Sequence, residues 1–167
     1  VQALYGLASI LLRVLREEKP KYVAALFDRP EPTFRKERYP EYKAKRPKAP
    51  DALIAQIIEA RTLFEKFVIR TVEQPRVEAD DLIATLAEKF RATPHLKIVI
   101  LTGDTDTLQL VSPRVRVLIT SGFGEQKMYD ESAVRERYGG LEPSQQVDVK
   151  AMRGDASDNV PGVPGIG

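Results

Sequence analysis

The sequence predicts an α/β fold with a mainly parallel central sheet flanked by helices. Two observations carry that expectation. Short apolar runs at 22–27, 68–72, 96–101 and 115–119 alternate with amphipathic segments of helix length. The 167 residues, 43% of them hydrophobic, suit a single domain with a sizeable core.

Leu4, Leu7, Ala8, Leu11, Leu12 and Leu15 recur at helical spacing, and Pro20 marks where that first helix stops. The run 22–27 reads as a buried strand that delivers Asp28 at its carboxyl end. Residues 29–50 show no clean period and hold five of the twelve prolines, which predicts an irregular or broken-helical insertion. Leu53, Ile57, Ala60, Phe64 and Phe67 predict a second helix. The β-branched run 68–72 follows, ended by Gln74-Pro75. A third helix spans 78–90. The strand at 96–101 delivers Thr102-Gly103-Asp104, and the one at 115–119 is closed by Gly122 and Gly124. Asp130 is the expected cap of a helix running to Tyr138, and Ser144 that of one running to Met152. The remainder, 154–167, is rich in Gly, Asp and Pro.

Composition removes several kinds of chemistry. The chain has no cysteine, which excludes disulfides and thiolate metal sites and fits a reducing, cytoplasmic setting. It has no apolar stretch of membrane-spanning length. The single histidine, His95, follows Pro94 in a turn with no partner at a useful spacing, so histidine acid–base chemistry has no support. The net charge is only +2, yet Arg35, Lys36, Arg38, Lys43, Lys45, Arg46 and Lys48 crowd one segment against Glu37 and Glu41. Such a block on a near-neutral chain points to a polyanion. The interleaved Phe34, Tyr39 and Tyr42 add ring faces on which unpaired bases stack.

Carboxylates form the second constellation. Asp28 follows one strand; Asp104 and Asp106 follow another. Glu78, Asp80 and Asp81 open a helix, with Glu78 and Asp81 on one face, and Asp155 and Asp158 repeat that i, i+3 spacing. Singly, each cluster has an ordinary explanation: a helix dipole, a strand-end acid or a turn former. Together they fall where a parallel sheet focuses ligands, at its carboxyl edge. Acids gathered there repel unless cations intervene, and hard divalent ions suit oxygen ligands acting on phosphates. An EF-hand loop does not fit Asp104-x-Asp106, because Leu108 and Gln109 stand at its fifth and sixth positions.

Phe27-Asp28, Pro32-Thr33-Phe34-Arg35, the segment Tyr42-Lys43-Ala44-Lys45-Arg46-Pro47, Glu78-Ala79-Asp80-Asp81, Thr102-Gly103-Asp104-Thr105-Asp106 and the run 154–167 occur in order across the chain. In this they resemble the 5′-nuclease domains of bacterial DNA polymerase I, within the flap-endonuclease-like structure-specific nucleases. The resemblance implies hydrolysis of DNA at 5′ ends and flaps with two Mg²⁺ or Mn²⁺, serving primer removal and repair. It implies metal ligation by Asp28, Glu78, Asp80, Asp81, Asp104, Asp106, Asp155 and Asp158. Residues 29–50 are implied to form an arch on the 5′ single strand, with Arg35 and Lys43 steering the scissile phosphate and Phe34, Tyr42, Lys45 and Arg46 also touching DNA.

The run 154–167 is implied to begin a helix–hairpin–helix. There Gly162, Gly165 and Gly167 hold duplex DNA, with a monovalent ion. A further metal-binding strand is expected before Val1 and a second hairpin helix after Gly167, so the chain reads as one 5′-nuclease domain, 1–167, cut at both ends. A monomer, joined to a polymerase domain in the full-length protein, is expected. Two other readings remain at this level: a non-catalytic module for branched DNA, and a Mg²⁺ phosphatase for small substrates, suggested by the partial strand-D-x-D pattern at Asp104.

Overall fold

The computed structural model describes residues 2–121 and 125–166. Its elements follow the apolar periodicity. They are α1 (Gln2–Glu18), β1 (Ala24–Leu26), α2 (Phe34–Arg38), α3 (Asp51–Lys66), β2 (Arg70–Val72), α4 (Ala79–Arg91), β3 (Ile98–Thr102), β4 (Val115–Ser121), β5 (Glu125–Tyr129), α5 (Glu131–Arg137) and α6 (Gln146–Arg153). Two 3-10 segments, Thr105–Leu110 and Pro143–Gln145, complete the path.

Parallel pairing is present where expected. β1 lies parallel to β2, with Ala24 opposite Arg70 and Leu26 opposite Val72. β3 lies parallel to β4, from Ile98 opposite Val115 to Thr102 opposite Ile119. Among the described residues the strands form two small sheets, of two and three strands, in place of one central sheet. β5 was not foreseen. It pairs antiparallel with β4, with Val117 opposite Tyr129. It is an edge strand with exposed residues at alternate positions, so it lacks the apolar run that marked the others. Gly122 and Gly124 lie outside the described residues.

Asp130 caps α5 as expected, its side chain accepting from the Ala133 N–H. The last helix starts differently from expectation. Pro143 is pre-set for a first helical turn, so a 3-10 turn forms there, held where the Glu142 N–H donates to Gln145 Oε1 at 2.9 Å. Ser144 therefore sits inside that turn and caps nothing.

The core lies between the three-stranded sheet and α4 and α5. Ala87, Ile100, Leu108, Val111, Val115, Val117, Tyr129 and Val134 close it. α1 and α3 pack together, with α3 against β2; Leu11 and Ala60 are buried there, and Phe27 meets Phe64 edge-to-face at 5.8 Å. Among the described residues no helix is long and apolar enough to cross a membrane. Leu108 is fully buried on the 3-10 segment that follows Asp104. Truncating it to Ala is expected to destabilise the domain by about 2–5 kcal/mol, whereas Ile58→Ala on the exposed side of α3 changes stability by less than about 0.5 kcal/mol. Urea unfolding of both variants checks this, and equal midpoints would refute the placement of the core.

Candidate metal centre and nucleic-acid interface

The N-terminus of α4 organises the acidic groups. Glu78 is its N-cap, and the Asp81 carboxylate accepts the Glu78 N–H at 3.0 Å. From the end of β1, Asp28 Oδ1 accepts the Ala79 N–H at 2.7 Å. These contacts place negative groups where the unpaired N–H groups and the dipole of the helix favour them. Asp104, at the end of β3, accepts the Asp106 N–H at 2.8 Å and so fixes the turn that follows.

Asp80 marks the centre of this gathering. Its pKa is raised by partial desolvation and then by the charges of Asp104, Asp28 and Glu78, with only Lys43 opposing. Asp80 is solvent-exposed, so desolvation counts for less than the crowding of like charges. Asp28 and Asp104 thus act on the same point from two different sheets.

The basic segment folds onto this cluster. Arg35, on α2, meets Asp81 through two bonds of 2.6 Å and holds that carboxyl below the usual range. Asp81 is thereby directed to Arg35. The Lys43 ammonium donates to Glu78 at 2.9 Å. The Tyr42 hydroxyl lies 3.1 Å from carboxylate oxygens of both Glu78 and Asp158. Burial and those two charges push its pKa up, so it stays a phenol. Tyr42 is 9% exposed, and its ring is not offered to a base in this arrangement. Phe34 is covered by Arg35 and Arg38, whose guanidinium carbons stand 4.8 and 5.8 Å from its ring centre. Arg46 pairs with Asp158, whereas Lys45 is exposed.

Asp106, Asp155 and Asp158 form a second group. Lys150, on α6, bonds both Asp106 and Asp155, the latter at 2.7 Å. Lys150, then the Ser157 hydroxyl, hold the Asp155 carboxyl well below the usual range. Burial pulls the Lys150 ammonium down, but its bonds to the two acids outweigh that and raise it. In this arrangement no three acidic side chains among the described residues form a ready cage for one ion. Cations take up oxygens of Glu78, Asp81, Asp106, Asp155 and Asp158. Among the described residues, Asp28, Asp80 and Asp104 have no ion pair.

Behind the second group the chain doubles back on itself. The Val163 N–H donates to Met152 O at 2.7 Å, and Asp155 bridges to Val160. Gly154, at φ 75°, and Gly162 stand so close that a Cβ on either would come within 2.3–2.4 Å of backbone atoms. Gly162 therefore faces the chain itself, while Gly165, at φ 85°, turns in open space and Gly167 lies outside the described residues.

Residues 1–139 match the family described as the 5′-3′ exonuclease, N-terminal resolvase-like domain. The chain belongs to that family. DNA polymerase I of Mycobacterium tuberculosis is 45% identical to this resolvase-like domain over 166 residues, 99% of the chain but 18% of that protein. The chain thus spans about a fifth of the curated relatives it matches. Bacteriophage T5 5′-exonuclease with bound zinc is similar in structure, with a TM-score of 0.78 and 26% identity, over 98% of this chain and 63% of that one. The T5 flap endonuclease in a pseudo-enzyme-product complex with DNA and metal ions matches equally well, at 0.78 and 25%, over 98% and 62%.

Two residues of this resolvase-like domain went unnoticed in its sequence. Lys150 is one lysine on a polar helix, and nothing at its own position announces the two acids it meets. Asn159 stood inside a recognised run with no role attached. The Arg35–Asp81 pair generates a test. Asp81 is depressed below its ordinary value near 3.8, so its contribution is complete above that value and fades as pH falls through the lower folded one. A double-mutant cycle with Arg35→Ala and Asp81→Asn is expected to give about 1 kcal/mol of coupling at pH 7, both side chains being partly exposed. The coupling should weaken as pH is taken progressively below that ordinary value. Coupling that is constant over this range would contradict the pairing.

Proposed function

We propose that this domain hydrolyses DNA phosphodiesters at 5′ ends and flaps, as a divalent-metal-dependent 5′-3′ exonuclease and flap endonuclease. One observation carries the reading: a basic, aromatic segment is folded directly onto Glu78 and Asp81 at the start of α4 and onto Asp158. Membership of the exonuclease family and likeness to T5 enzymes holding metal ions and DNA support it. The domain is further read as the 5′-nuclease part of a DNA polymerase I, acting in primer removal and repair.

The donor set suits Mg²⁺ or Mn²⁺, since it consists wholly of hard carboxylate oxygens. Asp28, Glu78, Asp80 and Asp104 would hold one ion, and Asp106, Asp155 and Asp158 a second. Bound there, such ions would stabilise the attacking and the leaving oxygen of a phosphodiester. Asp81 keeps Arg35 beside this cluster. Arg35 and Lys43 neutralise the scissile phosphate, and Lys45 and Arg46 follow the phosphates of the 5′ strand. Water adds to phosphorus as the bond to the 3′ oxygen breaks, leaving a 5′ phosphate and a 3′ hydroxyl. The turn at Gly165 offers backbone N–H groups to the duplex, as the start of a helix–hairpin–helix.

Cleavage of a labelled 5′ flap in Mg²⁺ tests the proposal. Chelation should abolish it, and Asp104→Ala should slow it by roughly 10- to 100-fold or more. Metal-independent cleavage would overturn the reading, as would cleavage of a small phosphate ester in place of DNA. Lys45→Ala should leave the rate on saturating DNA almost unchanged and lower the salt slope of binding by about 0.7–0.9. An unchanged slope would remove Lys45 from the DNA path.

A further inference from the structure

The basic segment touches the acidic loop 155–160 through backbone as well as charge. The Asn159 amide Nδ2 donates to Glu41 O at 2.9 Å. The Tyr39 hydroxyl donates to Asn159 O at 3.0 Å. Next to them the Lys43 N–H donates to Asp158 O at 2.8 Å. These bonds hold the turn 39–43 from both ends through uncharged groups.

The backbone explains why that grip matters. Lys43 has φ 55° and Asn159 has φ 59°, both in the left-handed region. Asparagine adopts that region readily, but lysine does so only where its surroundings enforce it. Lys43 is thus a strained residue whose ammonium meets Glu78 at 2.9 Å; the Arg46 N–H and the Lys36 ammonium brace its turn from within the basic segment, and residues 158 and 159 hold it from outside. The carbonyl of Glu41 accepts the Ala44 N–H at 3.0 Å within the turn and the Asn159 amide at 2.9 Å from outside it.

We propose that Asn159 is a positioning residue that clamps the turn 39–43 and thereby aims the Lys43 ammonium into the site. Three features fit that task. Its amide supplies a donor, its carbonyl an acceptor, and its tolerance of positive φ lets both point at the basic segment at once. The proposal rests on the nuclease reading for its catalytic consequence, but not for the clamp itself.

The test uses the full chain with Asn159→Gly, which keeps the left-handed backbone and deletes the amide, and Asn159→Asp, which replaces the donor by an acceptor. Amide hydrogen exchange over 39–46 should accelerate by roughly 5- to 10-fold in both, with the melting transition nearly in place. On a flap substrate kcat should fall by roughly 10- to 100-fold with KM little changed. Adding Lys43→Ala to Asn159→Gly should cost less than the two effects combined, because the pair acts as a unit. Unchanged exchange over 39–46 would overturn the clamp, and so would an effect confined to KM. If the unaltered chain cuts no flap, the nuclease reading fails, while the exchange comparison still decides the clamp.

Discussion

Repulsion among carboxylates at one end of α4 is the constraint around which the rest of this structure is arranged. Two like charges 4 Å apart oppose each other by about 1 kcal/mol in water and about 4 kcal/mol near a protein surface. Asp28, Glu78, Asp80 and Asp104 all bear on one point. The helix N-terminus offsets part of this through the Ala79 N–H, and Lys43 offsets another part at Glu78. The path of the basic segment follows from this. It turns inward because its cations are better placed against acids than in water, and α2 forms where that path brings Arg35 to Asp81.

The two acidic groups are balanced by different parts of the chain. Arg35 and Lys43, from the insertion, serve the group at α4, and Lys150, from α6, serves Asp106 and Asp155. Asp158 is reached from the insertion, through Arg46 and Tyr42, and so joins the two. On the proposed function, Arg35, Lys43, Arg46 and Lys150 would turn from these acids to phosphates, and the freed carboxylates would then hold divalent ions.

Much of the fold was legible because burial on one side of an element leaves a periodic trace. Leu4 to Leu15 and the run 96–101 show it plainly, and α1 and β3 formed there. β5 left no such trace, being an edge strand in which only Tyr129 is buried. The acidic positions were legible as strand ends and helix starts. Which way each side chain turned was not. Asp80 and Asp81 are neighbours of the same type, and only Asp81 is turned by Arg35, 46 residues away in sequence. Lys150 and Asn159 were hidden for the same reason, since their partners belong to other elements. Tyr42 was legible as an aromatic beside cations, while its burial between Glu78 and Asp158 depended on how the insertion folds back.

The doubled-back chain behind Asp155 has a consequence for inheritance. At Gly154 and Gly162 a side chain of any size would strike backbone, which cannot rotate away as a side-chain tip can. No neighbouring substitution can make room, because the obstacle at each position is the main chain at the other end of the loop. The two glycines are therefore a single requirement written twice. Lineages of this domain should be free to vary residues such as Ala156 between them while both glycines stand still, even though neither glycine carries a group that could touch a metal.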